Sequence, residues 1–179
     1  FSTQRLEGYR NFMNKIWNAT RFSLNVLEGF ETPKTGDKTM PNANDLSDAD
    51  RWIIYKTGKC EAAVHEHMTN LRFADAANAI YEFAWHQFCD WYVELIKPIV
   101  YGEKANEKAA TQLVLAQTLN RIMRLLHPIA PFITEEIYQK LPIRKDACIV
   151  DVYPTPRNDK EWLSLGSEKM SNELDLVIE

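Results

Sequence analysis

Hydrophobic side chains along this chain recur at intervals of three and four residues, the spacing of one face of an α-helix. From about Gln4 to Leu27, one broad arc holds Tyr9, Phe12, Met13, Ile16, Ala19, Thr20, Ser23, Val26 and Leu27. The opposite arc carries Arg10, Asn14, Trp17, Asn18, Arg21 and Asn25, and Gly29 supplies a stop. Residues 31–44, rich in Pro, Gly, Thr and Asn, predict a surface connection. Ser47 with Asp50 three residues on, and Asp48 in the first turn, predict a capped helix to about Met68 that buries Trp52, Ile53, Ala63 and Val64. Gly58 inside it costs about 1 kcal/mol relative to alanine.

A turn at residues 69–71 leads into the strongest pattern, Phe73, Ala77, Ile80, Ala84, Phe88, Trp91 and Leu95, which Pro98 ends. Tyr81, Trp85, Tyr92 and Ile96 widen its apolar arc, so this helix is expected to be central and covered on two sides. Thr111, Leu115, Thr118, Leu119, Ile122, Leu125 and Leu126 form a fourth stripe, interrupted by His127-Pro128 and Ala130-Pro131. Pro131 suits the first turn of a short fifth helix closed by Leu141-Pro142. Residues 148–153, "CIVDVY", alternate like a lone strand, and a last helix is expected from Lys160 to Glu179. Long helices joined by short turns predict an all-α, antiparallel bundle of about five helices over residues 1–141, followed by a strand-like connection and the start of a C-terminal segment over 142–179.

Composition supports helices: six glycines and eight prolines in 179 residues are too few for a many-turned all-β chain. No apolar run approaches the length of a membrane span and no signal peptide is evident, so a cytoplasmic, monomeric protein without membrane contact is expected. Three widely spaced cysteines predict neither a disulfide framework nor a four-cysteine zinc site, which fits a reducing compartment. The chain opens at Phe1 without a methionine, so a piece of a longer protein is expected. A net charge of −4 argues against non-specific nucleic-acid binding, yet residues 1–29 carry Arg5, Arg10, Lys15 and Arg21 against Glu7 and Glu28.

No nucleophile elbow, intact phosphate loop or His-Glu-x-x-His is present, so no catalytic residue is assigned. Gly36, Lys38 and Thr39 lack the earlier glycine a phosphate loop requires. His86 and Cys89 share a helical turn, with His65 and His67 as distant candidates, but two ligands do not make a tetrahedral site and no metal is expected. Glu82, His86, Asp90 and Glu94 instead predict an ion-paired edge that Arg121 and Arg124 would meet. The stripe from Arg10 to Asn25 is different. A merely solvated face would favour Glu and Lys, because asparagine disfavours helix. Asn and Arg share planar hydrogen-bonding heads that match base edges and phosphates, and Trp17 offers either a stacking ring or half-buried packing.

Four stretches, "YRNFMNKIWNATRF", "LSDADRWI", "RFADAANAIYEFAWHQFCDWYVELIKP" and "RLLHPIAPFITEEIYQKLP", resemble in order and spacing the helical anticodon-binding domain of the class I valyl-tRNA synthetases. The resemblance runs from about Leu6 to Leu141 and more loosely to Glu179, and residues 86–97 are specific to the valine enzymes. It implies a bundle that holds the anticodon stem-loop of valine tRNA. The full-length enzyme would join valine to that tRNA with ATP and magnesium, in further domains carrying signatures absent here. Lys169-Met170-Ser171 is read as a chance match to one of them. The fragment would need no cofactor and be non-catalytic alone. The resemblance carries Arg10, Asn11, Lys15, Trp17, Asn18, Arg21 and Phe22 onto the family's first-helix pattern. The angular reading turns Arg10, Asn14, Trp17, Asn18, Arg21 and Asn25 outward as RNA contacts, with Lys97 a further candidate and Lys15 a brace. The rival readings are the equivalent domain of the isoleucine enzyme, a helical protein-interaction module and a bundle metalloenzyme.

Overall fold

The computed structural model describes residues 3–30 and 40–178, with side chains from Leu6 onward. Most of the expected connection at 31–44, with Gly36, Lys38 and Thr39, lies outside the described residues. In chain order the helices are α1 (Thr3–Val26), α2 (Asp48–Thr69), α3 (Phe73–Glu82, continued by the π-helical Phe83–Tyr92 and by Val93–Leu95), α4 (Lys97–Val100), α5 (Ala105–Leu126), α6 (Pro131–Tyr138), α7 (Lys160–Leu163) and α8 (Glu168–Ile178). The five expected helices are α1, α2, α3, α5 and α6, and the class is all-α.

Each boundary has a local cause. Gly29 at φ +73° takes the left-handed conformation that stops α1. Ser47 and Asp50 form a reciprocal capping box at α2, Ser47 N–H donating to Asp50 Oδ2 at 3.1 Å and Asp50 N–H to Ser47 Oγ at 3.1 Å. Asp50 is fully buried and does more than cap, because Tyr92 Oη donates to its Oδ1 at 2.7 Å and Thr111 Oγ1 to its Oδ2 at 2.7 Å. One carboxyl thus ties α2, the π-helical segment and α5 together.

The most enclosed helix is α5, not α3. Every residue from 110 to 123 is buried, where a single stripe was expected. Two of its polar side chains are answered by backbone carbonyls, Gln112 Nε2 donating to Val26 O at 2.6 Å, at the end of α1, and Asn120 Nδ2 to Ile143 O at 2.7 Å, whereas Thr118 Oγ1 is buried with no hydrogen-bond partner among the described residues. Within α3, Phe73 and Trp91 fall outside the buried face that the spacing predicted. Ile80, Ala84, Phe88, Tyr92 and Ile96 are instead almost wholly buried, each four residues after the last. In an α-helix four residues advance about 400°, a drift of about 40° per step. The π-helical run widens the turn through i→i+5 bonding and keeps this four-residue series on one side.

Two further expectations are corrected at the C-terminal end. Residues 148–153 are not a strand: Cys148–Val150 is a 3₁₀ turn. Among the described residues no strand lies beside them to pair with, and side chains take their polar groups instead. Cys148 N–H donates to Glu135 Oε2 at 3.0 Å and Arg124 Nη1 donates to Val152 O at 2.5 Å. The last helix is two pieces, α7 and α8, broken where Gly166 backs onto α2. A Cβ there would lie 2.7 Å from Tyr55 N. Both pieces pack on α2, with Trp52 Nε1 donating to Asp175 Oδ1 at 3.0 Å.

Arg121 and Arg124 do not meet the acidic edge of α3. Arg121 Nη2 donates to Asp159 Oδ1 at 2.8 Å, its Nε lies 3.6 Å from Glu61 Oε1, and its guanidinium stacks on Trp162 at 3.8 Å. The Arg124 Nε is 3.8 Å from Asp151 Oδ2. Both arginines point from α5 toward the C-terminal segment, on the far side of the helix from that edge.

Candidate nucleic-acid interface

The first helix is held by one face only. Phe12, Ile16, Ala19, Thr20, Ser23 and Val26 are buried, and α1 packs against the π-helical part of α3, α5 and α6. The Phe12 ring sits 4.9 Å from Tyr81 and 6.1 Å from Trp85. Lys15 ion-pairs with Asp90 and lies over the Trp85 ring at 4.2 Å, the bracing position expected of it.

The structure leaves Arg10, Asn14, Trp17, Asn18, Arg21 and Asn25 all exposed. They run along one side of the helix for about 22 Å, given a rise of 1.5 Å per residue. None of the six side chains hydrogen-bonds or ion-pairs with another described residue. Trp17 is 37% exposed, so part of its ring packs on the helix surface and part faces outward. Tyr9, placed by its spacing on the buried arc, is 63% exposed beside Arg10, and Leu6 is exposed too, because the first turns of α1 have no described neighbour over them.

A groove of about 250 Å³ opens along the flank of this stripe, between α1 and the end of α3. Its walls are Lys15, Asn18, Ala19 and Phe22 from α1, and Val93, Glu94 and Lys97 from the facing segment. Lys97 lies over the Phe22 ring at 5.5 Å and pairs with Glu94 at 2.7 Å. Asn18 and Lys97, singled out separately in the sequence, therefore meet at one opening. Phe22, named in the sequence only through the family's first-helix pattern, and Glu94, expected on the ion-paired edge of α3, complete it. At this size the groove is smaller than the about 300–1,000 Å³ of a drug-sized pocket and suits a single flat ring. Its lining is mixed in charge, with Lys15 and Lys97 against Glu94, and farther along the edge of α3 His86 sits 3.3 Å from Asp90 and 3.7 Å from Glu82. Those contacts occupy His86 on the helix edge.

What the arrangement offers is guanidinium and amide groups without a hydrogen-bond or ion-pair partner among the described residues, an outward indole and a small groove, the kinds of group that can meet phosphates, base edges and a base face.

Comparison with known proteins adds the family. The model of the anticodon-binding domain of tRNA ligase matches residues 50–179. This match starts after α1. A valine–tRNA ligase of Bdellovibrio bacteriovorus is 62% identical over 179 residues, covering 100% of this chain and 20% of that protein. One from Geobacter sulfurreducens is 48% identical over 158 residues, covering 88% of this chain and 17% of that protein. One from Enterococcus faecalis is 40% identical over 157 residues, covering 86% and 17%. The chain spans about a fifth of the length of the curated relatives it matches. The first of these alignments includes α1 and its polar stripe. With a helical bundle, a family model over most of its length and these relatives, the chain belongs to the family of anticodon-binding domains of tRNA ligases.

Proposed function

We propose that this bundle reads the anticodon arm of valine tRNA, as part of a ligase that attaches valine to that tRNA with ATP and magnesium. The observation that carries the reading is the exposed Arg-Asn-Trp stripe of α1, without a hydrogen-bond or ion-pair partner among the described residues, lying beside a groove of about 250 Å³. Arg10 and Arg21 hold phosphates or base edges, and Asn14 and Asn25 extend the amide row. Trp17 stacks on a loop base, and Asn18 and Lys97 frame the slot that takes another. The relatives' name supports valine as the amino acid. Residues 1–141 carry the reading surface, and residues 142–179 buttress it through α7 and α8 on α2. The bundle supplies affinity and identity to the reaction; the chemistry belongs to other domains of the ligase.

The test is a titration of anticodon stem-loops of valine and isoleucine tRNA across salt concentrations. The valine stem-loop is expected to bind more tightly, with affinity falling as salt rises. Arg21→Ala is expected to weaken it at least several-fold at low salt. Equal binding of the variant and the parent removes Arg21 from the interface, and preference for the isoleucine stem-loop overturns the choice of amino acid.

A further inference from the structure

Three potential metal ligands that the sequence keeps apart are brought together by the turn after α5. A ring nitrogen of His127, a carboxylate oxygen of Glu135 and the Sγ of Cys148 lie within 4.8 Å of one another. They come from three successive elements: the end of α5, the middle of α6 and the 3₁₀ turn Cys148–Val150. Cys148 is 3% exposed and not in a disulfide.

Two of the three are held from behind. Thr134 Oγ1 lies 2.8 Å from Ala130 O and 3.2 Å from Pro131 O, so its hydrogen is committed to a backbone carbonyl. Toward His127 Nδ1, at 2.8 Å, the same oxygen must accept. The imidazole proton therefore sits on Nδ1, and Nε2 keeps its lone pair, the tautomer found when a histidine binds a metal and its other nitrogen is anchored. Glu135 is oriented by Cys148 N–H on Oε2 at 3.0 Å and by Gln139 Nε2 on Oε1 at 2.7 Å. Gln139 Nε2 in turn also donates to Asp146 O at 2.7 Å.

We infer that His127, Glu135 and Cys148 form a binding site for a borderline divalent cation of the zinc class, with water as the fourth ligand. One nitrogen, one oxygen and one sulfur match zinc better than magnesium or calcium, which take oxygen ligands. Bond lengths of about 2.0–2.3 Å place tetrahedral ligands about 3.3–3.5 Å apart, so binding draws the three atoms in by on the order of 1 Å. Cys148 binds as thiolate and releases its proton to solvent. The ion would staple the 3₁₀ turn to α6 and to the end of α5, where no strand pairing holds residues 148–153. This site lies apart from the polar stripe of α1 and does not depend on the reading of RNA.

The experiment is a titration of the chelator-treated chain with Co²⁺, followed by its thiolate charge-transfer absorption and tetrahedral visible bands, then displacement by Zn²⁺. One equivalent is expected to saturate the signal, and Zn²⁺ is expected to abolish it. Cys148→Ser loses the charge-transfer band, while Cys89→Ser, which removes the only cysteine paired with His86 on one helical turn, retains it. Because Cys148 is buried, His127→Gln and Glu135→Gln, both at half-buried positions, provide a second arm. Each is expected to weaken Co²⁺ at least tenfold while keeping the parent's helical circular dichroism. Failure to saturate, a band that survives Cys148→Ser, or unchanged affinity in both other variants overturns the site.

Discussion

Helices α1 and α5 are built from similar polar residues and use them in opposite ways. In α5 four polar side chains turn inward and are answered, Thr111 by Asp50, Gln112 by Val26 O, Asn120 by Ile143 O, and Arg121 by Asp159, while Thr118 Oγ1 is buried without a partner among the described residues. In α1 the asparagines and arginines of the stripe turn outward and meet no other described side chain. A buried polar group without a partner costs about 1–3 kcal/mol, a penalty that the four answered side chains of α5 avoid. An exposed one carries no such constraint. The polar residues of α5 therefore belong to stability, and those of α1 are free to serve a partner from outside.

The contrast breaks most sharply at arginine. Arg121→Ala strands the Asp159 carboxylate that it pairs with and is expected to cost about 3–5 kcal/mol, read from urea unfolding. Arg21→Ala should stay within about 0.5 kcal/mol of the parent in the same assay while losing RNA binding. Comparable stability losses in the two variants would erase the distinction.

The next largest effect is on pH. Burial, reinforced by the charge of Asp159, pushes the Glu61 carboxyl from 4.5 up to about 8. Between those values the folded protein keeps a proton at Glu61 that the unfolded chain has released. The unfolded state binds fewer protons there, so stability falls as pH rises from about 5 to 8, by on the order of a few kcal/mol. Glu61→Gln holds the neutral form permanently and should flatten this decline. A slope as steep in the variant as in the parent would place the titration elsewhere.

Paired asparagines give the finest comparison. Asn120→Ala removes the donor to Ile143 O and is expected to cost about 1–3 kcal/mol. Asn18→Ala should change thermal stability by no more than about 0.5 kcal/mol. Equal effects would mean that Asn18 has a structural role its exposure does not reveal.

Much of this was legible in the residues. The two faces of α1 followed from spacing alone, since a helix buried along one side leaves its other side open. The Ser47 and Asp50 pattern placed the start of α2 to the residue. The groove was half visible: Asn18, Lys97, Phe22 and Glu94 were each singled out, on separate grounds, but their meeting at one opening follows only because the end of α3 lies across α1. Tyr9 was misplaced because spacing says which residues share a face, not how far along the helix the neighbours reach. In α3 the spacing named all five residues of the buried run, Ile80, Ala84, Phe88, Tyr92 and Ile96, and misplaced only Phe73 and Trp91. The unbroken four-residue interval of that run is the trace of the π-helical turn.

The sequence by itself determined the helices, most of their ends, the open polar ridge and the family, because these rest on local spacing, capping chemistry and motif order. Tertiary structure decided which helix lies at the centre, how the polar groups of α5 and the capping carboxyl of Asp50 are answered, and that His127, Glu135 and Cys148 meet. Those outcomes depend on chain segments far apart in sequence coming within hydrogen-bonding or ligand distance. No local periodicity encodes such a meeting, because it depends on how whole helices pack.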